Sequence, residues 1–272
     1  MAQFLSEEHF ERFRTLIYDA SGIHFSESNR SILESRLRDI LRKNNIAVAD
    51  YYSLLKKSSE ELKLLLDSVT TNLTRFFRNT SHFQSFEYFV VPDLLNRKRK
   101  TGDTTMRIWS AGCSTGEEPY SFAMVLKELL PLGYKTEIIA SDISLKSLVA
   151  GKEAFYPEAR MNGVPEKYLA RYFEPKLGGY LVKDEIRNMV RFDYHNLKFD
   201  SGFRGLDVVV CRNVIIYFDE AAQQAVIDKF WDAMSPHSYL FIGHSESLFG
   251  MKTQFEFVKT EWASVYRKNV DG

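Results

Sequence analysis

The spacing of hydrophobic residues changes along the chain and predicts two kinds of structure. Up to about residue 80, apolar residues recur three and four positions apart, as in Phe10, Phe13 and Ile17. This spacing places them on one face of an amphipathic helix, and Ser6 followed by acidic residues is typical of a helix start. We therefore predict a small all-α N-terminal domain over residues 1–80. Its later helices are predicted over 28–44, 51–55 and 62–72.

Beyond residue 106, short β-rich runs alternate with helical stretches. The five runs cover 106–109, 136–142, 189–192, 206–211 and 239–243. Such alternation favours parallel strands joined by helical crossovers, and so predicts a doubly wound α/β sheet within a domain over 107–272. Two closing runs, 255–260 and 262–267, predict a terminal antiparallel hairpin.

Two further segments lie between and within these domains. Residues 81–106 are interpreted as a linker helix and loop, in which the basic run 96–103 forms a charged surface loop. Gly178-Gly179 lies between two apolar runs, which is typical of a β-hairpin. We predict a small β-subdomain inserted at about 172–190.

Composition and charge argue against several classes of protein. The chain has 36 basic and 36 acidic residues, whereas a general nucleic-acid binder usually carries a clear basic excess. Cys113 and Cys211 lack the spacing of a disulfide framework or a zinc site, and reduced thiols fit the cytoplasm. The N-terminus does not resemble a signal peptide, and no apolar run is long enough for a membrane helix. We expect a cytoplasmic monomer without metal, nucleic-acid partner or membrane insertion.

A glycine-rich turn follows the first predicted strand. Gly112 and Gly116 would let a ligand approach the backbone closely, beside the N-terminus of the next helix. Asp142 ends the second predicted strand, where an acid can accept hydrogen bonds from both hydroxyls of a ribose. Together these features predict a nucleoside-containing cofactor at the carboxyl edge of the sheet.

The residues around the turn leave more than one chemistry open. Glu117 and Glu118 would repel a pyrophosphate but suit a ligand that carries an ammonium and a sulfonium, such as S-adenosylmethionine. The same turn also matches a hydrolase nucleophile elbow, with Ser114 as nucleophile and His244 as a later histidine. The elbow normally follows a central strand with several strands before it, whereas this turn follows the first.

Two polar segments elsewhere in the chain are hard to explain by packing alone. Asn72, Thr74 and Arg78 are interleaved with aromatic residues before the α/β domain, and could either cap a helix or serve a site. Asn213 interrupts an apolar stretch where the strand 206–211 ends, which would point it at the ligand crevice.

Taken in order, several segments closely resemble the CheR family of chemoreceptor glutamate methyltransferases. They cover 71–74 with 76–78, 109–121, 140–144, 211–218 and 243–246. The resemblance implies a class I S-adenosylmethionine-dependent methyltransferase domain behind a small helical domain. It also implies methyl transfer to glutamate side chains on the cytoplasmic coiled coil of a methyl-accepting chemotaxis protein, for sensory adaptation, with S-adenosylhomocysteine as product. A non-catalytic signalling adaptor that keeps the cofactor is the alternative within the same fold.

The resemblance also implies the residues of the site, to which the glycine turn adds Gly112. The cofactor-binding set is Asn72, Thr74, Arg78, Gly112, Glu117, Asp142, Asn196, Leu197, Asn213 and Val214. Whether Glu117 or Glu118 makes the contact stays open. Arg78 is expected to orient the substrate carboxylate through a bidentate contact, with Tyr217 nearby as a second catalytic residue. A glutamate with a pKa of about 4.3 is already ionised at neutral pH, so no general base is required.

Partner contacts are predicted at two places. Four arginines of the second helix, Arg30, Arg36, Arg38 and Arg42, could face an acidic receptor helix. The inserted hairpin resembles the β-subdomain that docks a receptor's C-terminal pentapeptide in some members of the family. Because the stretch is short here, we expect activity that is independent of the pentapeptide.

Overall fold

The computed structural model describes residues 4–70 and 72–270, and its first part is helical as predicted. Four helices cover α1 Glu7–Ser21, α2 Arg30–Asn44, α3 Val48–Leu55 and α4 Ser59–Val69. The Ser6 hydroxyl caps α1 by accepting a hydrogen bond from the His9 N–H at 3.2 Å, and Gly22 ends that helix with a φ of 78°. Phe10 and Phe13 are completely buried in the core of this domain.

The segment that follows packs into the core of the α/β domain. It contains α5 Thr80–Ser85, a π-helical turn Phe86–Val90 and α6 Val91–Thr101. The prediction of a loop over 96–103 is wrong, because α6 continues to Thr101. Lys98, in the middle of that basic run, is buried and forms salt bridges with Asp103 at 2.7 Å and Asp207 at 2.8 Å.

A seven-stranded sheet forms the centre of the molecule. In chain order, its strands are β1 Thr105–Ala111, β2 Lys135–Asp142, β6 Val190–Tyr194, β7 Leu206–Cys211, β8 Met234–Ile242, β9 Glu256–Lys259 and β10 Ser264–Lys268. The spatial order is β6-β2-β1-β7-β8-β10-β9. Strand β10 pairs antiparallel with both of its neighbours, β8 and β9, and runs opposite to the other six strands. The crossover helices include α7 Glu117–Leu129, α8 Leu145–Glu153 and α11 Glu220–Ala233. The predicted doubly wound sheet with a terminal hairpin is therefore confirmed.

Strand β8 begins five residues before the predicted run, at Met234 rather than residue 239. Its first residues, Ser235 to Ser238, include a proline and a histidine with a φ of 59°, and so lack a strand pattern. Pairing with β7 also shifts register between Leu206 and Val208. An irregular strand end of this kind carries no hydrophobic alternation from which it could be predicted.

A small antiparallel sheet is inserted between α8 and β6. Its strands are β3 Phe155–Pro157, β4 Phe173–Lys176 and β5 Gly179–Val182, and the short helices α9 Glu166–Tyr172 and α10 Asp184–Arg187 accompany it. The predicted hairpin is confirmed as β4 and β5. Strand β3 lies before residue 172, so the small sheet extends beyond the predicted segment. Three residues are too few to show a β pattern.

The order of the strands determines where a ligand can bind. Strand β1 lies between β2 and β7, so the crossovers leave it in opposite directions and open a crevice at the carboxyl ends of these strands. The helical domain covers this crevice. The His24 N–H donates a hydrogen bond to the Tyr217 carbonyl at 2.8 Å, and the Asn196 side chain donates to the Ala20 carbonyl at 2.8 Å. Across the residues described, no helix is long and apolar enough to cross a bilayer.

Candidate active site

One cavity lies between the carboxyl edge of the sheet and the helical domain. It has an empty volume of about 1260 Å³, including the space at its open mouth. We call its two sides the sheet wall and the helical wall. The sheet wall comprises Gly112, Ser114, Glu118, Asp142, Ile143, His195, Asn196, Leu197, Arg212, Asn213, Val214, Tyr217 and Phe218. The helical wall comprises Ser21, Ile23, His24, Phe25, Asn29, Ile32, Val69 and Thr70. A connecting segment between them contributes Asn72, Leu73, Thr74, Arg75 and Arg78.

The glycines of the turn are required by close packing. Gly112 has a φ of 82°, and a Cβ placed there would come within 2.5 Å of Val214 Cγ2. Gly116 has a φ of 94°, and its Cβ would lie 2.9 Å from the Phe192 ring. Any other residue would be strained and would displace the turn. The predicted turn therefore forms, and it leads directly into α7.

Asp142 lies at the end of β2, where the sequence pattern placed it. One carboxylate oxygen accepts a hydrogen bond from the Ser114 N–H at 2.8 Å, and the other accepts from the Ser144 N–H at 2.9 Å. Burial raises the pKa of Asp142, although these backbone hydrogen bonds oppose the rise. A carboxylate offers about four acceptor positions, so each oxygen can accept one more hydrogen bond from a ligand.

The two acids that begin α7 point in different directions. Glu117 is completely buried outside the cavity, where it binds the Arg160 guanidinium at 2.7 Å and the Thr115 hydroxyl at 2.6 Å. Glu118 lines the cavity instead, and accepts a hydrogen bond from the Ser110 hydroxyl at 2.8 Å. Consecutive helical residues are about 100° apart around the axis, so only one of the pair can face the ligand. The structure therefore does not bring Glu117 into the site and brings Glu118 in its place.

Burial also shifts the pKa of Glu118. Its pKa is raised by burial, while Arg212 and the Ser110 hydroxyl act in the opposite direction. Arg212 Nη1 lies 3.3 Å from Glu118 Oε2, and the Arg212 side chain is 1% exposed. The pair places one negative and one positive group against the sheet wall.

Arg212 and Arg78 differ in how much of each guanidinium is already engaged. Arg212 contacts Glu118 and donates to the Arg78 carbonyl, and burial lowers its pKa. Arg78 donates to the Leu73 carbonyl at 2.9 Å, and no acid in the described part of the chain lies within salt-bridge distance of it. Arg78 therefore keeps guanidinium donors that no acid among the described residues engages. Arg212 was not among the predicted site residues, although it precedes Asn213 directly in the sequence.

The loop after β7 places three predicted residues on the sheet wall. Asn213 has a φ of 59°, in the left-handed region, and Val214 packs against Gly112. Tyr217 is 36% exposed at the mouth of the cavity. Its carbonyl accepts the hydrogen bond from His24, so the backbone next to the Tyr217 side chain is attached to the helical domain.

The remaining predicted residues divide between the sheet wall and the connecting segment. Asn72 and Thr74 line the cavity from the connecting segment, and Leu197 lines it from the sheet wall. Asn196 also lines the cavity, but its amide is largely engaged elsewhere. It donates to the Ala20 carbonyl and accepts from the Lys198 N–H at 3.0 Å. Asn196 thus joins the two walls as well as lining the space between them.

Four residues that line the cavity each have a buried polar atom that lacks a partner among the described residues. These atoms are Ser114 Oγ, His195 Nε2, Arg212 Nε and Asn213 Oδ1. Buried polar atoms are normally paired, so a ligand rich in donors and acceptors fits this space. Ser114 was predicted only as a possible hydrolase nucleophile, and His195 was not predicted at all, because neither stands in a pattern that indicates a nucleoside.

The contacts do not support the hydrolase interpretation. Among the described residues the Ser114 hydroxyl has no hydrogen-bond partner, whereas a serine nucleophile needs a base within hydrogen-bond reach. A ring nitrogen of His244 lies 3.3 Å from the Asn79 amide instead.

The arginines predicted to contact a partner are not equivalent. Arg36, Arg38 and Arg42 are exposed on α2. Arg30 is buried, and its guanidinium binds Glu7 at 2.6 Å and Glu34 at 3.0 Å. The prediction that Arg30 faces a partner is therefore wrong, because three acids from the same domain, these two and Glu27 at 3.4 Å, already occupy its guanidinium.

Comparison with known proteins identifies relatives over almost the whole chain. Residues 8–70 match the family described as "CheR methyltransferase, all-alpha domain", and residues 72–264 match "CheR methyltransferase, SAM binding domain". The chain is 35% identical to a chemotaxis protein methyltransferase of Borreliella burgdorferi, covering 97% of this chain and 95% of the relative. It is 33% identical to chemotaxis protein methyltransferase 2 of Vibrio cholerae, covering 97% and 94%. It is 34% identical to the chemotaxis protein methyltransferase of Escherichia coli, covering 92% and 88%.

Proposed function

We propose that this chain, which belongs to the CheR family of S-adenosylmethionine-dependent chemotaxis methyltransferases, forms methyl esters on glutamate side chains of a chemoreceptor. One observation carries the proposal of an anionic substrate. Arg78 lies at the edge of a cofactor-sized cavity with guanidinium donors that no described acid engages. A cation in that position suits a carboxylate better than a neutral or cationic acceptor.

We propose that the sheet wall binds the cofactor. Asp142 would accept hydrogen bonds from ribose hydroxyls, and Gly112 leaves the space that such a ligand needs. Glu118 takes the place first assigned to Glu117, because it alone of the two lines the cavity. The remaining proposed contacts are Asn72, Thr74, Arg78, Asn196, Leu197, Asn213 and Val214.

The chain's own residues have to align two reactants rather than move a proton. The bound cofactor supplies an electrophilic methyl group on a sulfonium. Arg78 would orient the substrate carboxylate, and Tyr217 at the mouth would hydrogen-bond beside it. Arg78 and Tyr217 would thereby hold a carboxylate oxygen within reach of the methyl group that the bound cofactor would supply, with the electron pair of the carbon–sulfur bond remaining on sulfur. Alignment of this kind can lower a barrier by about 7–11 kcal/mol.

The proposed substrate region is the cytoplasmic helical part of a receptor, which would place the enzyme in the cytoplasm. We propose that it acts there as a monomer. Arg36, Arg38 and Arg42 on the exposed face of α2 would contact acidic receptor helices. We also propose that a receptor pentapeptide is not needed, because only Leu177 and Gly178 join the paired strands β4 and β5. Calorimetry with a pentapeptide and a comparison of receptors with and without it would test this point.

A methylation assay with a chemically specific readout tests the proposed function. The full chain is incubated with S-adenosylmethionine that carries a labelled methyl group and with a receptor cytoplasmic fragment. Label that is transferred to the fragment and then released as methanol by mild alkali indicates a glutamate ester. Stable label would contradict ester formation. Calorimetric binding of S-adenosylhomocysteine without any transfer would instead favour the non-catalytic adaptor.

A further inference from the structure

A carboxylate outside the cavity binds three backbone N–H groups around the loop that carries Asn213. Glu246 Oε2 accepts hydrogen bonds from the Asn213 N–H at 2.8 Å and the Gly243 N–H at 2.5 Å. Glu246 Oε1 accepts from the Ile216 N–H at 3.3 Å. We infer that Glu246 is a positioning residue, which holds this loop so that the Asn213 side chain is presented to the cofactor. The inference rests on the proposed cofactor contact of Asn213.

The loop needs an external acceptor because it has left the regular pairing of β7. Asn213 has a φ of 59°, and Val214 follows at φ −121° and ψ −45°, so the strand does not continue, and Val214 leads into the 3₁₀ turn Ile215–Tyr217. A left-handed φ is uncommon for a residue with a side chain, although asparagine adopts it more readily than most, and hydrogen bonds from the surroundings help to hold it. Hydrogen bonds to an ionised acceptor are about twice as strong as neutral ones. Glu246 is therefore suited to hold this conformation.

The segment that supplies Glu246 fits this arrangement. The Glu246 N–H donates to the Gly243 carbonyl at 2.9 Å, and the resulting turn folds the carboxylate back over its own backbone. A Cβ at residue 243 would lie 2.6 Å from Glu246 Oε2 and 2.9 Å from the Asn213 N–H nitrogen. Glycine at 243 leaves room for the carboxylate and the loop to meet.

Glu246 acts on the cavity through Asn213, since Glu246 itself does not line it. Asn213 Oδ1 is buried on the sheet wall and has no partner among the described residues, so it is available to a donor on the ligand. If the loop relaxed, this oxygen would turn away from the cavity. The affinity for the cofactor would then fall although no residue that touches the ligand had changed.

The first test is E246Q, studied in the full chain by calorimetry with S-adenosylhomocysteine. Glutamine keeps the size of the side chain, but its NH₂ group cannot accept a hydrogen bond, so at least one N–H of the loop is released. We expect the Kd to rise about ten-fold. The control is E261Q, which removes an exposed carboxylate of the same charge and should leave the Kd within about two-fold. An unchanged Kd in E246Q would overturn the inference.

A double-mutant cycle separates positioning from a general loss of structure. N213G removes the side chain but tolerates the left-handed φ and keeps the backbone N–H. If Glu246 acts through Asn213, E246Q should change the Kd of the N213G protein by less than about two-fold. An equal ten-fold loss in both backgrounds, or an N213G protein that binds like the wild type, would overturn the inference.

Two further measurements keep the outcomes distinct. If the wild-type chain does not bind S-adenosylhomocysteine, the proposed function is refuted. The double-mutant cycle, by contrast, tests only the inference on Glu246. If thermal melting shows that E246Q does not fold, E246D carries the same test. The aspartate keeps the charge but is one methylene shorter, and cannot reach the N–H groups of Asn213, Gly243 and Ile216 together. The Kd of E246D should rise as well, and a wild-type value would overturn the inference.

Discussion

The sheet wall and the helical wall of the cavity differ in the side chains that they contribute and in how those side chains are held. The sheet wall carries the ionisable groups Asp142, Glu118 and Arg212, and each is fixed by hydrogen bonds to strand ends or to another side chain. The helical wall contributes apolar side chains such as Ile23 and Phe25 together with uncharged polar ones, and His24 is its one ionisable residue among those described. We therefore expect the sheet wall to recognise polar groups of the proposed ligand and the helical wall to enclose it.

Arg78 provides the largest test, because it lies on the segment between the two walls. We expect Arg78→Ala to lower kcat/KM for receptor methylation by about 10³-fold, since the substrate carboxylate loses its charged donor. Arg78→Lys should recover part of the rate, because it restores the charge without the bidentate geometry. The measurement is initial-rate methyl transfer, with thermal melting to show that the variants fold.

The matched control for this test is Arg99→Ala, an exposed arginine on α6 that should leave the rate unchanged. Full activity in Arg78→Ala would show that Arg78 does not orient the substrate carboxylate. The connecting segment would then only join the two walls of the cavity.

The neighbouring acids of α7 give the second test, within the sheet wall itself. Glu118→Gln should raise the Kd for S-adenosylhomocysteine about ten-fold, because a charged acceptor that lines the cavity is lost. Glu117→Gln should change that Kd little, but should lower the free energy of unfolding by about 2 kcal/mol, because it weakens a buried contact with Arg160. Calorimetry and urea unfolding of both variants measure the two effects. The reverse pattern would show that Glu117 is the ligand contact.

The third test extends the comparison to the outer surface of the helical domain. The charge reversals Arg38→Glu and Arg42→Glu should together lower the rate of receptor methylation about five-fold at low salt, and less at 0.5 M salt, where exposed charges are screened. The affinity for S-adenosylhomocysteine should not change. The same loss of rate at both salt concentrations would discount an electrostatic docking role for α2.

The smallest effect is expected where the two walls meet. Asn196→Ala removes the hydrogen bond to the Ala20 carbonyl, which should lower the free energy of unfolding by about 1 kcal/mol. The Kd for S-adenosylhomocysteine should rise about three-fold, because the helical wall encloses the ligand less firmly. Urea unfolding and calorimetry measure the two quantities. A Kd change without any stability change would show that Asn196 serves the ligand alone.

The sequence predicted the sheet wall better than the helical wall, for a physical reason. Parallel strands produce apolar runs, and side chains that follow their carboxyl ends must meet at one edge of the sheet. Asp142 and Asn213 could therefore be placed without a structure. The approach of residues 21–32 to that edge depends on contacts between distant segments, such as the pairing of Ile23 with Phe218, and no local pattern reports them.

The directions of individual side chains could not be predicted from the sequence either. The choice between Glu117 and Glu118 depends on the rotation of α7 about its axis, which the packing of that helix on the sheet decides. Arg30 appears as one more basic residue on an amphipathic helix until Glu7 and Glu34 are brought beside it. In both cases the residue type was informative, and the direction came from tertiary structure.

The packing around Trp109 gives the cavity an optical reporter. Its buried indole lies 5.7 Å from the ring of His195, which lines the sheet wall, while the other two tryptophans pack elsewhere, Trp231 against Phe255 and Trp262 against Tyr88. Emission from Trp109 should therefore respond to an occupant of the cavity through His195. A chain in which Trp231 and Trp262 are replaced by phenylalanine would report ligand arrival in real time without a label.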